Sequence, residues 1–136
     1  MRAEDADELW AYAAEFARGL PHGAVVYLVG PMGAGKTTFV QGACAALGVR
    51  ERVTSPTYTV AHLYEGRVAH LDLSRSERLD EQAWGDLEPY FEDVRAVFVE
   101  WPEAGAGLVP PPDATVRITP LADGSRVVEV RASADG

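Results

Sequence analysis

Ala24-Val25-Val26-Tyr27-Leu28-Val29-Gly30-Pro31-Met32-Gly33-Ala34-Gly35-Lys36-Thr37 joins a short apolar run to the pattern G-x-x-x-x-G-K-[ST], matched at every fixed position from Gly30 to Thr37. The β-branched residues of 24–29 predict a buried strand. Beyond the loop, Phe39, Val40, Ala43, Cys44, Ala46 and Leu47 recur at helical spacing over 38–47, and Gly48 stands where a helix ends. In that order, strand, glycine-rich loop and helix form a phosphate cradle. The glycines let backbone N–H groups turn inward, and the positive end of the helix dipole adds to them. Lys36 can then reach the terminal phosphates and the Thr37 hydroxyl can ligate Mg²⁺. Lys36 is the only lysine in the chain, and every other fixed cationic side chain is an arginine. A compact ammonium therefore stands at the one loop position where a point charge is needed.

At 136 residues the length suits one domain over 1–136, large enough for a core and leaving little room for a lid. No apolar run approaches a membrane span, and Met1-Arg2-Ala3-Glu4-Asp5 has no signal-peptide character, so cytoplasmic placement is expected. Cys44 is the single cysteine; it falls in the apolar pattern of the post-loop helix, so a buried spectator role is expected. The formal charge of −9 argues against this chain alone gripping nucleic acid through phosphate contacts. Any RNA connection is expected to run through a partner.

Around the loop the elements read as an α/β fold. Asp5 with Glu8 has capping-box spacing, and Leu9, Tyr12, Ala13, Phe16, Ala17 and Leu20 form a helical stripe ending near Gly19. Residues 50–66 are extended in character and close in a hairpin turn at Glu65-Gly66. The stretch 67–73 predicts a strand that delivers Asp72, and 76–87 a helix with Ser76 as its cap. The run 94–101 predicts a strand ending at Glu100; 102–112 is rich in Pro and Gly and reads as loop. Val116-Arg117-Ile118 and Arg126-Val127-Val128-Glu129-Val130, joined through Asp123-Gly124, predict a terminal hairpin. The fold class is thus a single P-loop NTPase-like domain, with a mixed, mainly parallel sheet, flanking helices and a C-terminal β-hairpin.

Nucleotide hydrolysis needs a metal ion, a carboxylate to hold it and a group that orients water. Ligands of open α/β sheets sit at the carboxyl ends of strands, which aims Asp72 and Glu100 at one crevice with Thr37. Each could instead be an ordinary strand-end carboxylate. Ser55-Pro56-Thr57 lies where nucleotide switch proteins keep a hydroxyl that senses the terminal phosphate, although hydroxyl-Pro-hydroxyl is also a common turn. His70 reads as a packed strand histidine and His22 as a solvated turn residue. Trp101 is either a core aromatic or a flat surface beside the nucleotide or a partner. The Lys36 ammonium is expected to face solvent without a core role.

Four segments together resemble the TsaE (YjeE) family: Gly30 to Thr38, Val53-Thr54-Ser55-Pro56-Thr57-Tyr58-Thr59, His70-Leu71-Asp72-Leu73-Ser74-Arg75 and Val99-Glu100-Trp101-Pro102-Glu103. The resemblance covers nearly the whole chain. It implies an ATPase that serves threonylcarbamoyladenosine formation in tRNA, working with the TsaD and TsaB proteins and with no membrane partner. By position it implies that Gly33, Ala34, Gly35, Lys36, Thr37 and Thr38 hold the phosphates of ATP, and that Thr37 and Glu100 hold Mg²⁺. Asp72 would assist hydrolysis together with Lys36, Thr57 would respond to the terminal phosphate, and Trp101 would pack beside the site. The family's layout points to Asp5 and Gly124 for adenine. Ser74 stands where the family usually has tyrosine, and Pro31-Met32 where it usually has an acidic residue and leucine. Pro31, lacking an N–H, can present only a carbonyl to the loop.

A small-molecule P-loop kinase would share the loop, but no lid segment with arginines is apparent. A GTPase would need an Asn-Lys-x-Asp segment for guanine, which a chain with one lysine at Lys36 lacks. An ATP-bound assembly partner that hydrolyses slowly overlaps with the family reading.

Overall fold

A computed structural model of the protein describes residues 1–53, 60–74 and 80–132. Its strands are β1 (Arg2–Ala3), β2 (Ala24–Val29), β3 (Ala61–Tyr64), β4 (Val68–Asp72), β5 (Ala96–Glu100), β6 (Ala114–Pro120) and β7 (Arg126–Ala132), and its α-helices are α1 (Ala6–Arg18), α2 (Lys36–Ala46) and α3 (Glu81–Leu87). The seven strands form one sheet in the order β1-β7-β6-β2-β5-β4-β3. The four central strands β6, β2, β5 and β4 run parallel, and antiparallel partners close both sides. This is the expected mixed α/β sheet with its C-terminal hairpin, β6–β7.

Period-two alternation sorts the central strands between two cores. Val26, Leu28, Val68, Phe98, Val116 and Ile118 pack with Leu9, Ala13, Phe39 and Val40 of α1 and α2, while Val25, Leu71, Val97 and Val99 pack on the opposite face with Leu87, Tyr90 and Trp101. His70, Asp72 and Glu100 keep the phase of Val68 and Phe98, because β4 and β5 pair Asp72 with Glu100 and His70 with Phe98. The polar ends of these strands therefore open on the side that carries α2.

Local chemistry explains the ends of the helices. Asp5 caps α1 by accepting the Glu8 N–H at 2.9 Å, and Glu8 returns the bond to the Glu4 N–H at 3.0 Å, so the expected capping box forms one residue out of register. Gly19 closes α1 as expected. Of the helix expected over 76–87, the described part is α3, where Asp80 accepts from the Ala83 N–H at 2.8 Å and caps the helix at Glu81. Asp80 is extended, as a capping residue is; Ser76 lies outside the described residues. Within the expected loop 102–112, Pro102–Gly105 forms one 3₁₀ turn. The Glu65-Gly66 hairpin has both residues at positive φ, 52° and 67°, as a tight two-residue turn requires.

Candidate functional site

The loop between β2 and α2 is fixed by close backbone approach. A Cβ at Gly30 would lie 2.5 Å from the Ile118 carbonyl oxygen, and Gly35, at φ +110°, would push one to 2.7 Å from a Leu9 methyl. Only glycine serves at either place. No side chain caps α2, and no carboxylate stands in its first turn. Among the described residues, the N–H groups of Gly35, Lys36, Thr37 and Thr38 have no backbone acceptor. They make an anion site of the kind a helix N-terminus offers.

Lys36 is enclosed, which corrects the expectation of a solvent-facing ammonium: the residue is only 7% exposed. Its Nζ donates to the Gly30 carbonyl at 2.8 Å, stands 3.5 Å from Glu100 Oε1 and lies 4.5 Å from the centroid of the Trp101 ring. The cause is local. β5 ends at Glu100, and Trp101 takes a left-handed φ of 57°, rare for a bulky residue, before the turn at Pro102. That reversal folds the indole back over Lys36, so Trp101 is half-buried beside the site.

Glu100 is held from behind. His70 Nε2 lies 2.5 Å from Glu100 Oε2, His70 is fully buried and Glu100 is 4% exposed. Among the described residues, His70 Nδ1 has no hydrogen-bond partner. A buried ring with one unpartnered nitrogen is least costly as the neutral tautomer with the proton on Nε2, which leaves a lone pair rather than an N–H unsatisfied. His70 then donates to Glu100 Oε2, and the other Glu100 oxygen faces Lys36. Asp72 sits beside Glu100 on the adjacent strand, half-buried, and accepts the Ser74 N–H at 2.9 Å. An ammonium, two carboxylates and a row of amides without backbone acceptors meet at the carboxyl ends of β2, β4 and β5; the ammonium and amides of this set can neutralise polyphosphate charge.

A second cleft, of about 370 Å³, opens where α1, the loop and the terminal hairpin meet; Asp5, Leu9, Gly35, Thr38, Gly124 and Arg126 line it. The sequence-derived candidates Asp5 and Gly124 thus face the same space as loop residues Gly35 and Thr38. Gly33 is at the exposed tip of the loop, Ala34 is buried, and Thr37 is half-buried. Thr57 lies outside the described residues. Two residues at the site were not singled out by sequence reasoning as members of it: His70, and Arg126, whose Nε donates to the Ala34 carbonyl at 2.8 Å. Alternation would have placed His70 on the face of Asp72. Nothing in the spacing signals Arg126, since its contact depends on how the hairpin lies over the loop.

Cys44 is buried, and burial, with Glu51 and Glu65 adding to it, pushes its thiol up to about 12. Among the described residues no helix is long and apolar enough to cross a membrane.

Comparison with known proteins follows the same lines. A family model described as "Threonylcarbamoyl adenosine biosynthesis protein TsaE" matches residues 3–128. The chain is similar to the tRNA threonylcarbamoyladenosine biosynthesis protein TsaE of Treponema pallidum, 36% identical over 83% of this chain and 85% of that one. The protein of the same description from Haemophilus influenzae is 37% identical over 69% of this chain and 61% of its own length. Among solved structures, Bacillus subtilis YdiB aligns with a TM-score of 0.77 and 26% identity over 99% of this chain and 85% of that chain.

Proposed function

The chain belongs to the TsaE family of threonylcarbamoyladenosine biosynthesis, and from that premise we propose that it is the Mg²⁺-dependent ATPase of bacterial tRNA threonylcarbamoyladenosine formation. In this reading it acts with the TsaD and TsaB proteins and meets tRNA only through them. The observation that carries the reading is the buried contact of Lys36 with Glu100 beside the uncapped start of α2.

The donor set suits ATP with Mg²⁺. Gly33, Ala34, Gly35, Lys36, Thr37 and Thr38 would hold the phosphates, and the Thr37 hydroxyl and the Glu100 carboxylate are oxygen donors of the type Mg²⁺ takes. When bound, Mg²⁺ supplies charge neutralisation at the phosphates. Lys36, already desolvated against the Trp101 ring, presents its charge where little water competes. His70 keeps the Glu100 carboxylate aimed. Asp72 is assigned to assist the attack of water, Thr57 to respond to the terminal phosphate, and Asp5, Gly124 and Trp101 to border the nucleotide.

The test is ATP hydrolysis by the chain alone and with a TsaB–TsaD pair. Turnover is expected to be low alone and to rise on adding the pair. No hydrolysis in any combination would refute the ATPase assignment, and phosphoryl transfer to a small acceptor would favour a kinase instead.

A further inference from the structure

Arg126 opens β7 and reaches across to the phosphate loop. Its Nε donates to the Ala34 carbonyl at 2.8 Å, and its Nη1 donates to the Gly124 carbonyl. No carboxylate among the described residues forms an ion pair with it, although the chain carries a formal charge of −9. Two of the guanidinium's donors are thus directed at carbonyls. One of them belongs to the residue that precedes Gly35.

A trans peptide is planar, so its C=O and the following N–H point in opposite directions. No peptide in the described residues is cis. Holding the Ala34 carbonyl toward the hairpin therefore turns the Gly35 N–H away from it. That N–H is the first of the unpartnered amides leading into α2. Gly35 has no Cβ and sits at φ +110°, so its own conformation restrains the peptide weakly; an outside donor is needed to fix the plane.

We propose that Arg126 is a positioning residue for phosphate recognition: its Nε–H fixes the Ala34–Gly35 peptide so that the Gly35 N–H faces the bound phosphates. The inference rests on the phosphate-site reading above. It assigns to Arg126 a role played through the backbone and not through its charge. Glutamine and methionine separate the two, because the Gln Nε2 falls at the position of the Arg Nε while the Met methyl fills that place without a donor.

The probe is inorganic pyrophosphate, titrated calorimetrically into the unsubstituted protein and into Arg126→Gln, Arg126→Met and Arg126→Lys, with ¹⁵N spectra of each ligand-free protein. Arg126→Met is expected to weaken pyrophosphate binding about tenfold and Arg126→Gln by no more than about threefold, the scale of one hydrogen bond. The Gly35 amide resonance should move in Arg126→Met and stay near its place in Arg126→Gln, with changes confined to 33–36 and 124–126. Lysine keeps the charge but sets its donor one bond further out, so Arg126→Gln should bind more tightly than Arg126→Lys. That order is readable even if the methionine variant fails to fold. Equal losses in Arg126→Gln and Arg126→Met, no loss in either, or tighter binding by Arg126→Lys than by Arg126→Gln would overturn the proposal. Failure of the unsubstituted protein to bind pyrophosphate would overturn the phosphate-site reading itself, and would be seen before any substitution is compared.

Discussion

Lys36 and Glu100 meet at the carboxyl ends of β2 and β5 with side chains 7% and 5% exposed, whereas Asp5 and Asp123, at the hairpin end of the second cleft, are exposed. Both ends carry charge, but water treats them differently. At the enclosed end each ionised group depends on its neighbours, because a buried charge left alone costs several kcal/mol. At the open end solvent screens the Arg2–Asp123 pair, and such pairs contribute little. The enclosed end is thus where recognition and folding are coupled. The Arg2–Asp123 pair can vary with modest consequences for stability.

The largest effect that tests this contrast comes from Lys36→Ala. Pyrophosphate affinity should fall roughly a hundredfold, the scale of a lost charge-assisted contact. Stability should fall as well, by about 3 kcal/mol in denaturant unfolding, because Glu100 loses its cationic neighbour while still buried. Adding Glu100→Gln to Lys36→Ala should restore most of the stability and none of the affinity. A Lys36→Ala protein as stable as the original would mean that the enclosed end carries no such coupling.

Asp5→Ala should act the other way round. Losing the α1 cap is expected to cost about 1 kcal/mol in unfolding, with pyrophosphate affinity unchanged within error. A loss of affinity comparable to that of Lys36→Ala would erase the distinction between the two ends.

How far the sequence alone announces these regions follows from the range of the interactions. The strand, loop and helix over 24–47 are legible because each is signalled by neighbours in the chain: an apolar run, glycines at fixed offsets, a helical stripe closed by Gly48. Glu100 is legible as a strand end, and Cys44 as a buried residue. The Lys36 environment is not, because its enclosure depends on Trp101 adopting a left-handed turn 65 positions away and on Glu100 arriving from β5. The His70–Glu100 contact is intermediate. Alternation gives the face of His70, but only the parallel register of β4 against β5 makes the two residues diagonal neighbours. β1 leaves no periodic trace at two residues, and it is recruited by pairing with β7, where the N-terminal amine donates to the Val128 carbonyl at 2.8 Å. Arg126 belongs with it, since its acceptor on Ala34 lies 92 positions earlier. What escapes the sequence is thus the long-range polar contacts that hold the loop, not the loop itself.

The smallest expected effect lies in the turn of the terminal hairpin, and it measures how open that end is. Asp123 Oδ1 accepts from the Ser125 hydroxyl at 2.5 Å and from the Ser125 N–H at 2.9 Å, and Arg2 stands beside the other oxygen. These contacts, the Ser125 hydroxyl foremost, hold the Asp123 carboxyl below the usual carboxylate range. A carboxyl whose native pKa is depressed stabilises the fold above its unfolded pKa, and that contribution is lost as pH falls through the native value. Ser125→Ala should therefore raise the pH at which Asp123 titrates in carbon-detected NMR, and Arg2→Ala should raise it less, because the Ser125 hydroxyl is buried whereas the Arg2 guanidinium meets the carboxylate in a pair exposed to water. A larger shift from Arg2→Ala than from Ser125→Ala would mean that charge is poorly screened there, and that the hairpin end is electrostatically closer to the enclosed end than its exposure implies.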